Sequence, residues 1–301
     1  MNIFAEGRKK GIELRYGENP HEEAYVYGSL SFQLLHEGCK ISYNNILDAD
    51  AAWTVTRHVK SLAPYAATVV KHQTPCGVSI GDSPIDVIER AIHADLESSY
   101  GGILAVSFPM SLDAAKSIKR YLEVIVAPDF DDDALSYLKK KKVRLIRPLP
   151  YTSYTGKPAF GGFLVSQRIF PSDIHLEQIV GGEVSEKLIR DVKFAYGVVE
   201  GVKSNAIVIV KDGVTVGIGT GQPSRKRAAW IATTLAGKKG RGAVAASDAF
   251  FPFPDGLEIL AEAGVVAVVA PLGSKRDKEV LETAQKLGIA FFRADIRVFR
   301  H

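Results

Sequence analysis

Apolar residues along this chain fall into two recurring patterns. Short β-branched runs alternate with longer segments whose apolar positions return every three or four residues. "ATVVKH" (67–72) reads as a strand, and "SPIDVIERAIHADLESS" (83–99) as a helix, with a capping serine, a first-turn proline and a stripe of Ile85, Ile88, Ile92 and Leu96. "GILAVS" (102–107) is a buried strand, "SLDAAKSIKRYL" (111–122) a helix and "EVIVAP" (123–128) a strand. "DDDALSYLKKKK" and "VRLIRP" then give a further helix and strand.

The same order returns in the second half. "AIVIVKD" is a strand, "SRKRAAWIATTLAG" (224–237) a helix and "GAVAAS" (242–247) a strand; "GLEILAEAG", "VVAVVAP" (265–271), "SKRDKEVLETAQKLG" and "IAFFRA" complete the series. The intervals agree: 36 residues separate Lys71 from Ser107, and 36 separate Lys211 from Ser247. Lys71 to Pro128 is 57 residues and Lys211 to Pro271 is 60. An amphipathic helix precedes each first strand, in "DADAAWTVTRHVKSL" and "SEKLIRDVKFAYGVVEGVKS". This periodicity predicts two similar α/β units, each a sheet covered by helices. The expected division is an N-terminal segment plus first unit over 1–148, an irregular connector over 149–184 and a second unit over 185–301.

Composition narrows the class. The chain has 301 residues, 46% hydrophobic and 24% charged, as a folded soluble protein does. No apolar run is long enough to span a bilayer, and "MNIFAEGRKKGIELRYG" lacks the apolar core of a signal peptide. Two cysteines, Cys39 and Cys76, make no disulfide framework, so a reducing cytoplasm is expected. The net charge of +4 favours anionic ligands mildly, but the basic residues are dispersed and mark no nucleic-acid surface.

Chemistry gathers at a few points. "TVVKHQTPCG" ends an apolar run on Lys71 and His72. At a strand end the chain turns, so both side chains can reach one pocket. Histidine serves as a base near neutral pH, and lysine stabilises a developing oxyanion; the plainer alternative is a partly exposed loop pair. Pro75-Cys76 suggests a zinc deaminase, but no second cysteine follows and His72 is not followed by x-Glu, so no zinc is expected. In "LRYGENPHEEAYVYG" Arg15 could grip a phosphate beside Tyr16. "KDGVTVGIGTGQPSRKRAAW" is a hairpin opening into a helix, and the charge of Arg225 opposes the dipole of that helix, which suggests a ligand-facing role. "SDAFFPFPDG" places phenylalanines and Asp255 where they suit a flat ring ligand, or else simply fill the core.

Together, "LRYGENPH", "VVKHQTPCG", "SSYGGILA", "EVIVAP", "SNAIVIVKDGVTVGIGTGQPSR", "ASDAFFPF", "PLGSKRD" and "RVFRH" resemble the 5-aminoimidazole-4-carboxamide ribonucleotide (AICAR) formyltransferase unit of bifunctional purine-biosynthesis enzymes. The resemblance implies two duplicated cytidine-deaminase-like α/β/α units without zinc. It implies formyl transfer from 10-formyltetrahydrofolate to the 5-amino group of AICAR. His72 matches the general base, Lys71 the group that stabilises the oxyanion or protonates the departing folate nitrogen, and Asn205 a hydrogen-bonding residue at the formyl group. Arg15, Tyr16, Tyr100, Gly101, Glu123, Arg225 and Arg297 match the nucleotide side. Lys226, Phe250, Pro252, Phe253, Asp255 and Ser274 match the folate side. The resemblance further implies a homodimer with sites at the interface and a structural potassium near Asp248. The matching stretches begin at residue 14, so ring closure is expected from a separate cyclohydrolase. Two departures stand out: Thr74 replaces the frequent asparagine, and Glu123 replaces the aspartate of some members. The competing classes are a non-catalytic nucleotide or folate sensor, which needs no base beside a cation, and a hydrolytic deaminase, which lacks its metal ligands here.

Overall fold

The computed structural model describes residues 11–38, 40–151, 154–167 and 174–301. Cys39, residues 1–10 of the stretch searched for a leader, and parts of the connector (152–153 and 168–173) lie outside the described residues. A ribbon of β1 (Ile12–Glu13) and β2 (Tyr25–Val26) precedes β3 (Phe32–His36) and helix α1 (Tyr43–Val59). Ser42 starts α1 because its hydroxyl accepts the Asn45 N–H while the Asn45 side chain accepts the Ser42 N–H. The first alternating run is β4 (Tyr65–Lys71), β5 (Thr74–Gly81), α2 (Pro84–Ala94), β6 (Gly102–Val106), α3 (Leu112–Ser117), β7 (Leu122–Val126), α4 (Asp132–Lys139) and β8 (Arg144–Pro148). After β9 (Tyr154–Ala159), β10 (Gly162–Gln167) and β11 (Leu176–Val180) comes α5 (Glu186–Val199), with Ser185 at its cap. The second run is β12 (Ile207–Lys211), β13 (Val214–Gly219), α6 (Arg225–Ala236), β14 (Val244–Ser247), α7 (Asp255–Glu262), β15 (Ala267–Pro271), α8 (Asp277–Lys286) and β16 (Ala290–Ala294).

Among the described residues twelve strands form one mixed sheet, ordered β11-β16-β15-β14-β12-β13-β5-β4-β6-β7-β8-β3. Within it the two runs have the same connectivity. In each, the first strand pairs antiparallel with the second and with the third, and the last two join in parallel through helices. Both opening hairpins carry a bulge at the same place, between Val69 and Val70 and between Ile209 and Val210. Side chains alternate across the sheet. Val208 and Val210 pack toward α5, and Val70 toward α1, while Val69 and Ile209 face the opposite helical layer.

The halves meet where β5 lies antiparallel to β13, with Ser79 opposite Val214. The Ile80 N–H donates to the Gly213 carbonyl at 2.8 Å and the Val78 N–H to Thr215 Oγ1 at 3.0 Å. One core runs across this seam, joining Val55, Ala66 and Val78 to Val192, Phe194 and Val208.

Three element readings change. The helix expected over 83–99 stops at Ala94, where Asp95 turns extended and its carboxylate accepts the Ser98 N–H at 2.9 Å. Leu96 therefore lies exposed, as does Ile85, and the buried stripe is Val87, Ile88, Ala91 and Ile92. The helix from 111 ends at Ser117, because Ile118 adopts ψ 93°. The stretch over 149–184 is less irregular than expected. It holds the exposed hairpin of β9 and β10, and β11 adds to the sheet edge with Leu176 opposite Ala294.

Candidate active site

The "KHQT" stretch is a tight hairpin turn. Lys71 pairs with Thr74, and the two residues between them, His72 (φ 53°) and Gln73 (φ 60°), have the left-handed conformation of a type I′ turn. That turn follows strand twist well but is unfavourable for residues with side chains. Asp48, from α1, holds it. The His72 N–H donates to Oδ2 at 3.1 Å and the Gln73 N–H to Oδ1 at 2.6 Å. Partial burial pushes the Asp48 carboxyl above its ordinary pKa, and the two amides oppose that shift.

His72 is exposed at the turn. Lys71 reaches back, its Nζ donating to the Tyr100 carbonyl at 2.8 Å. Lys71 and His72 line one cleft with Thr74, Cys76, Thr215 and Thr220. Burial pushes the Cys76 thiol up to about 12, so it stays protonated at neutral pH. Among the described residues no three His, Cys, Asp or Glu side chains gather as a metal site.

The seam register brings Asn205 to the same end of the sheet. With Ser79 opposite Val214, antiparallel pairing puts the Thr74 end of β5 on the same side of the sheet as the Gly219 end of β13, and Gly219 pairs with Ile207, two residues beyond Asn205. Asn205 Nδ2 donates to the Gln222 carbonyl at 2.8 Å and its Oδ1 accepts from Arg225 Nη2 at 2.7 Å. Arg225 is buried, contrary to the ligand-facing expectation. Its Nη1 donates to Ser247 Oγ at 2.6 Å and to Asp248, which is itself fully buried. The charge that opposes the helix dipole is thus matched by a carboxylate inside the protein. Asp248 also accepts from the Ser204 hydroxyl and, at 3.1 Å, the Ala206 N–H. Oδ1 takes two of these bonds and Oδ2 one, which leaves an acceptor position on Oδ2 beside the Ser204 hydroxyl.

The remaining nucleotide-side candidates lie in several places. Tyr100 is exposed beside Tyr121, with ring centroids 5.5 Å apart, and Gly101 holds φ 70° while its N–H bonds the Tyr121 carbonyl. Glu123 accepts from Asn45 Nδ2 at 2.8 Å, with Arg144 Nη1 3.9 Å away. Arg15 is exposed with its guanidinium 5.3 Å from the centre of the Tyr16 ring, and the Tyr16 carbonyl accepts the Tyr43 N–H at the start of α1. Arg297 lies over Phe299 at 4.5 Å and lines a second cleft with Gln73, Tyr154 and Arg300. The turn therefore stands between two clefts, His72 lining one and Gln73 the other.

The folate-side candidates form a patch on the second half. Lys226 and Asp255 approach to 3.8 Å, and Arg276 lies 4.7 Å over the exposed Phe253 ring. Ser274 Oγ accepts the Arg276 N–H at 3.1 Å. Pro252 is exposed, and Phe250 is half-buried near Gly273. Phe251, between them, fills the core, while Pro252 and Phe253 stay exposed. Sequence reasoning missed Asp48, Asn45 and Gln222. Their partners lie too far along the chain for local spacing to show them. Asp48 had one available signal: an acid occurs in both pre-strand helices, at Asp48 and Asp191.

A family model described as AICARFT/IMPCHase bienzyme matches residues 2–235. The bifunctional purine biosynthesis protein PurH of Thermotoga maritima is 60% identical over 305 residues, covering 100% of this chain and 67% of that protein. PurH of Desulfitobacterium hafniense (strain DSM 10664 / DCB-2) is 40% identical over 318 residues, covering 98% of this chain and 59% of that protein. PurH of Oceanobacillus iheyensis is 41% identical over 310 residues, covering 97% and 60%. The chain thus spans 59% to 67% of the length of these relatives. Among solved structures, Acinetobacter baumannii RibD, form 2, aligns at a TM-score of 0.25 and 24% identity over 30% of this chain and 29% of that chain, too little to bear on the fold.

Proposed function

The chain belongs to the AICARFT/IMPCHase bienzyme family, and on that premise we propose that it transfers a formyl group from 10-formyltetrahydrofolate to the 5-amino group of AICAR, giving FAICAR and tetrahydrofolate. The acceptor amine is a poor nucleophile, because its lone pair is delocalised into the ring and carboxamide. It must lose a proton as it attacks. His72, exposed at the cleft, takes that proton. Lys71 uses one ammonium hydrogen on the Tyr100 carbonyl and keeps two for the tetrahedral oxyanion or the departing folate nitrogen. Asn205 is oriented by Arg225, which donates to its Oδ1. One Nδ2 hydrogen bonds Gln222, and the other remains to donate toward the formyl oxygen.

The observation that carries this reading is the placement of Lys71 and His72 on one cleft wall at the seam end that also holds Asn205. Arg15, Tyr16, Tyr100, Gly101, Glu123 and Arg297 supply the nucleotide side. Lys226, Phe250, Pro252, Phe253, Asp255 and Ser274 supply the folate side. Arg225 acts through Asn205. No step runs through a cation. The repeated connectivity, bulges and turns support an internal duplication of a cytidine-deaminase-like unit, divided at 1–148, 149–184 and 185–301. The same reading brings a cytoplasmic homodimer with sites shared across its interface, and assigns ring closure to a cyclohydrolase.

A spectrophotometric assay with AICAR and 10-formyltetrahydrofolate tests the proposal. Wild type turns over, whereas His72→Ala abolishes transfer and keeps AICAR affinity within about tenfold, about 1.4 kcal/mol. Binding of both substrates by wild type without turnover would establish the sensor instead.

A further inference from the structure

We infer that Asp48 is a positioning residue that aims the His72 imidazole by clasping its hairpin turn; this rests on His72 being the base. The argument comes from a comparison the molecule makes with itself. The second run has the same device. Lys211 pairs with Val214, Asp212 (φ 54°) and Gly213 (φ 70°) form the turn, and Asp191 from α5 accepts both turn amides, at 2.8 and 2.9 Å. Lys211 Nζ even bonds the Arg241 carbonyl at 2.6 Å, as Lys71 bonds that of Tyr100. The clasp is therefore a feature of the scaffold.

The turns differ in what they hold. At its second position the Asp212 turn has Gly213, which adopts positive φ without steric cost. The His72 turn has Gln73 there, so both of its residues carry side chains in the left-handed region. Its conformation depends more on the two bonds to Asp48. The turns also lie at opposite ends of the seam. Gly213 accepts from Ile80 at one end, whereas Thr74 begins β5 at the end where β13 finishes in Gly219. Only the first borders the Lys71 cleft. Asp48 and Asp191 thus separate the structural value of a clasp from its value to chemistry.

The experiment compares wild type, Asp48→Asn and Asp191→Asn. Asparagine keeps the shape but turns one acceptor into a donor facing an amide N–H. Amide hydrogen exchange should show lost protection at 72–73 in the first variant and at 212–213 in the second. In Asp48→Asn kcat should fall about ten- to hundredfold, the scale on which misplaced groups act. Its KM values should stay within about threefold, and kcat of Asp191→Asn within about twofold of wild type. If Asp48→Asn does not fold, Asp48→Asn with Gln73→Gly relaxes the turn without restoring the clasp, and its kcat should still be low. Wild-type kcat in either folded Asp48 variant, or an equal loss in Asp191→Asn, overturns the inference. A wild type that transfers no formyl group overturns the functional reading instead, while the exchange data still show whether Asp48 holds the turn.

Discussion

Arg225 carries a positive charge into the first turn of α6, where the helix dipole opposes it. The arrangement holds because Asp248 accepts that charge in a site where the carboxylate is fully buried. Such a pair is costly to break from one side, because the group left behind is a desolvated charge without a partner. Arg225→Met should lower the unfolding free energy by about 3–5 kcal/mol, read from urea titration. The same variant releases Oδ1 of Asn205, so kcat should fall as well. An unchanged urea midpoint would refute the pairing. The sequence made Arg225 conspicuous through its local context. Its partner, 23 residues away, reversed the meaning of that signal from ligand contact to internal pair.

At the scale of elements, the hairpins are fitted under the helices by glycine. A Cβ on Gly77 would lie 1.9 Å from the Ala91 carbonyl oxygen of α2, and one on Gly217 would lie 2.1 Å from that of Ala232 in α6. Neither obstacle is a side chain that can swing away; each helix would have to move. Gly77→Ala and Gly217→Ala should each destabilise by about 1–3 kcal/mol or more, the cost of overpacking, and by similar amounts. A neutral midpoint in either variant, measured in urea, would show that the helix yields freely. The strands and helices themselves were legible, because period-two and period-3.6 patterns are local. Their ends were less so. Leu96 continued the helical stripe in the sequence, yet Asp95 ended the helix first by bonding to Ser98.

For the whole molecule, the seam between β5 and β13 joins the two runs into one sheet, and a shared core crosses it. Unfolding should therefore be cooperative across the halves. The two tryptophans, Trp53 in α1 and Trp230 in α6, lie on opposite sides of the seam. Single-tryptophan variants, Trp53→Phe and Trp230→Phe, should give coincident urea transitions by fluorescence and circular dichroism. Separate midpoints would mean that the halves unfold independently. By itself the sequence determined the alternation of strands and helices, their repetition at 36-residue spacing, and the pairing of Lys71 with His72 as neighbours, because each follows from chain-local order. Tertiary structure alone decided that the two runs join edge to edge, that Asp48 and Asp191 clasp the turns, and that Arg225 points inward. Each of these depends on a contact between residues more than 20 positions apart, fixed only when the sheet and its covering helices pack together.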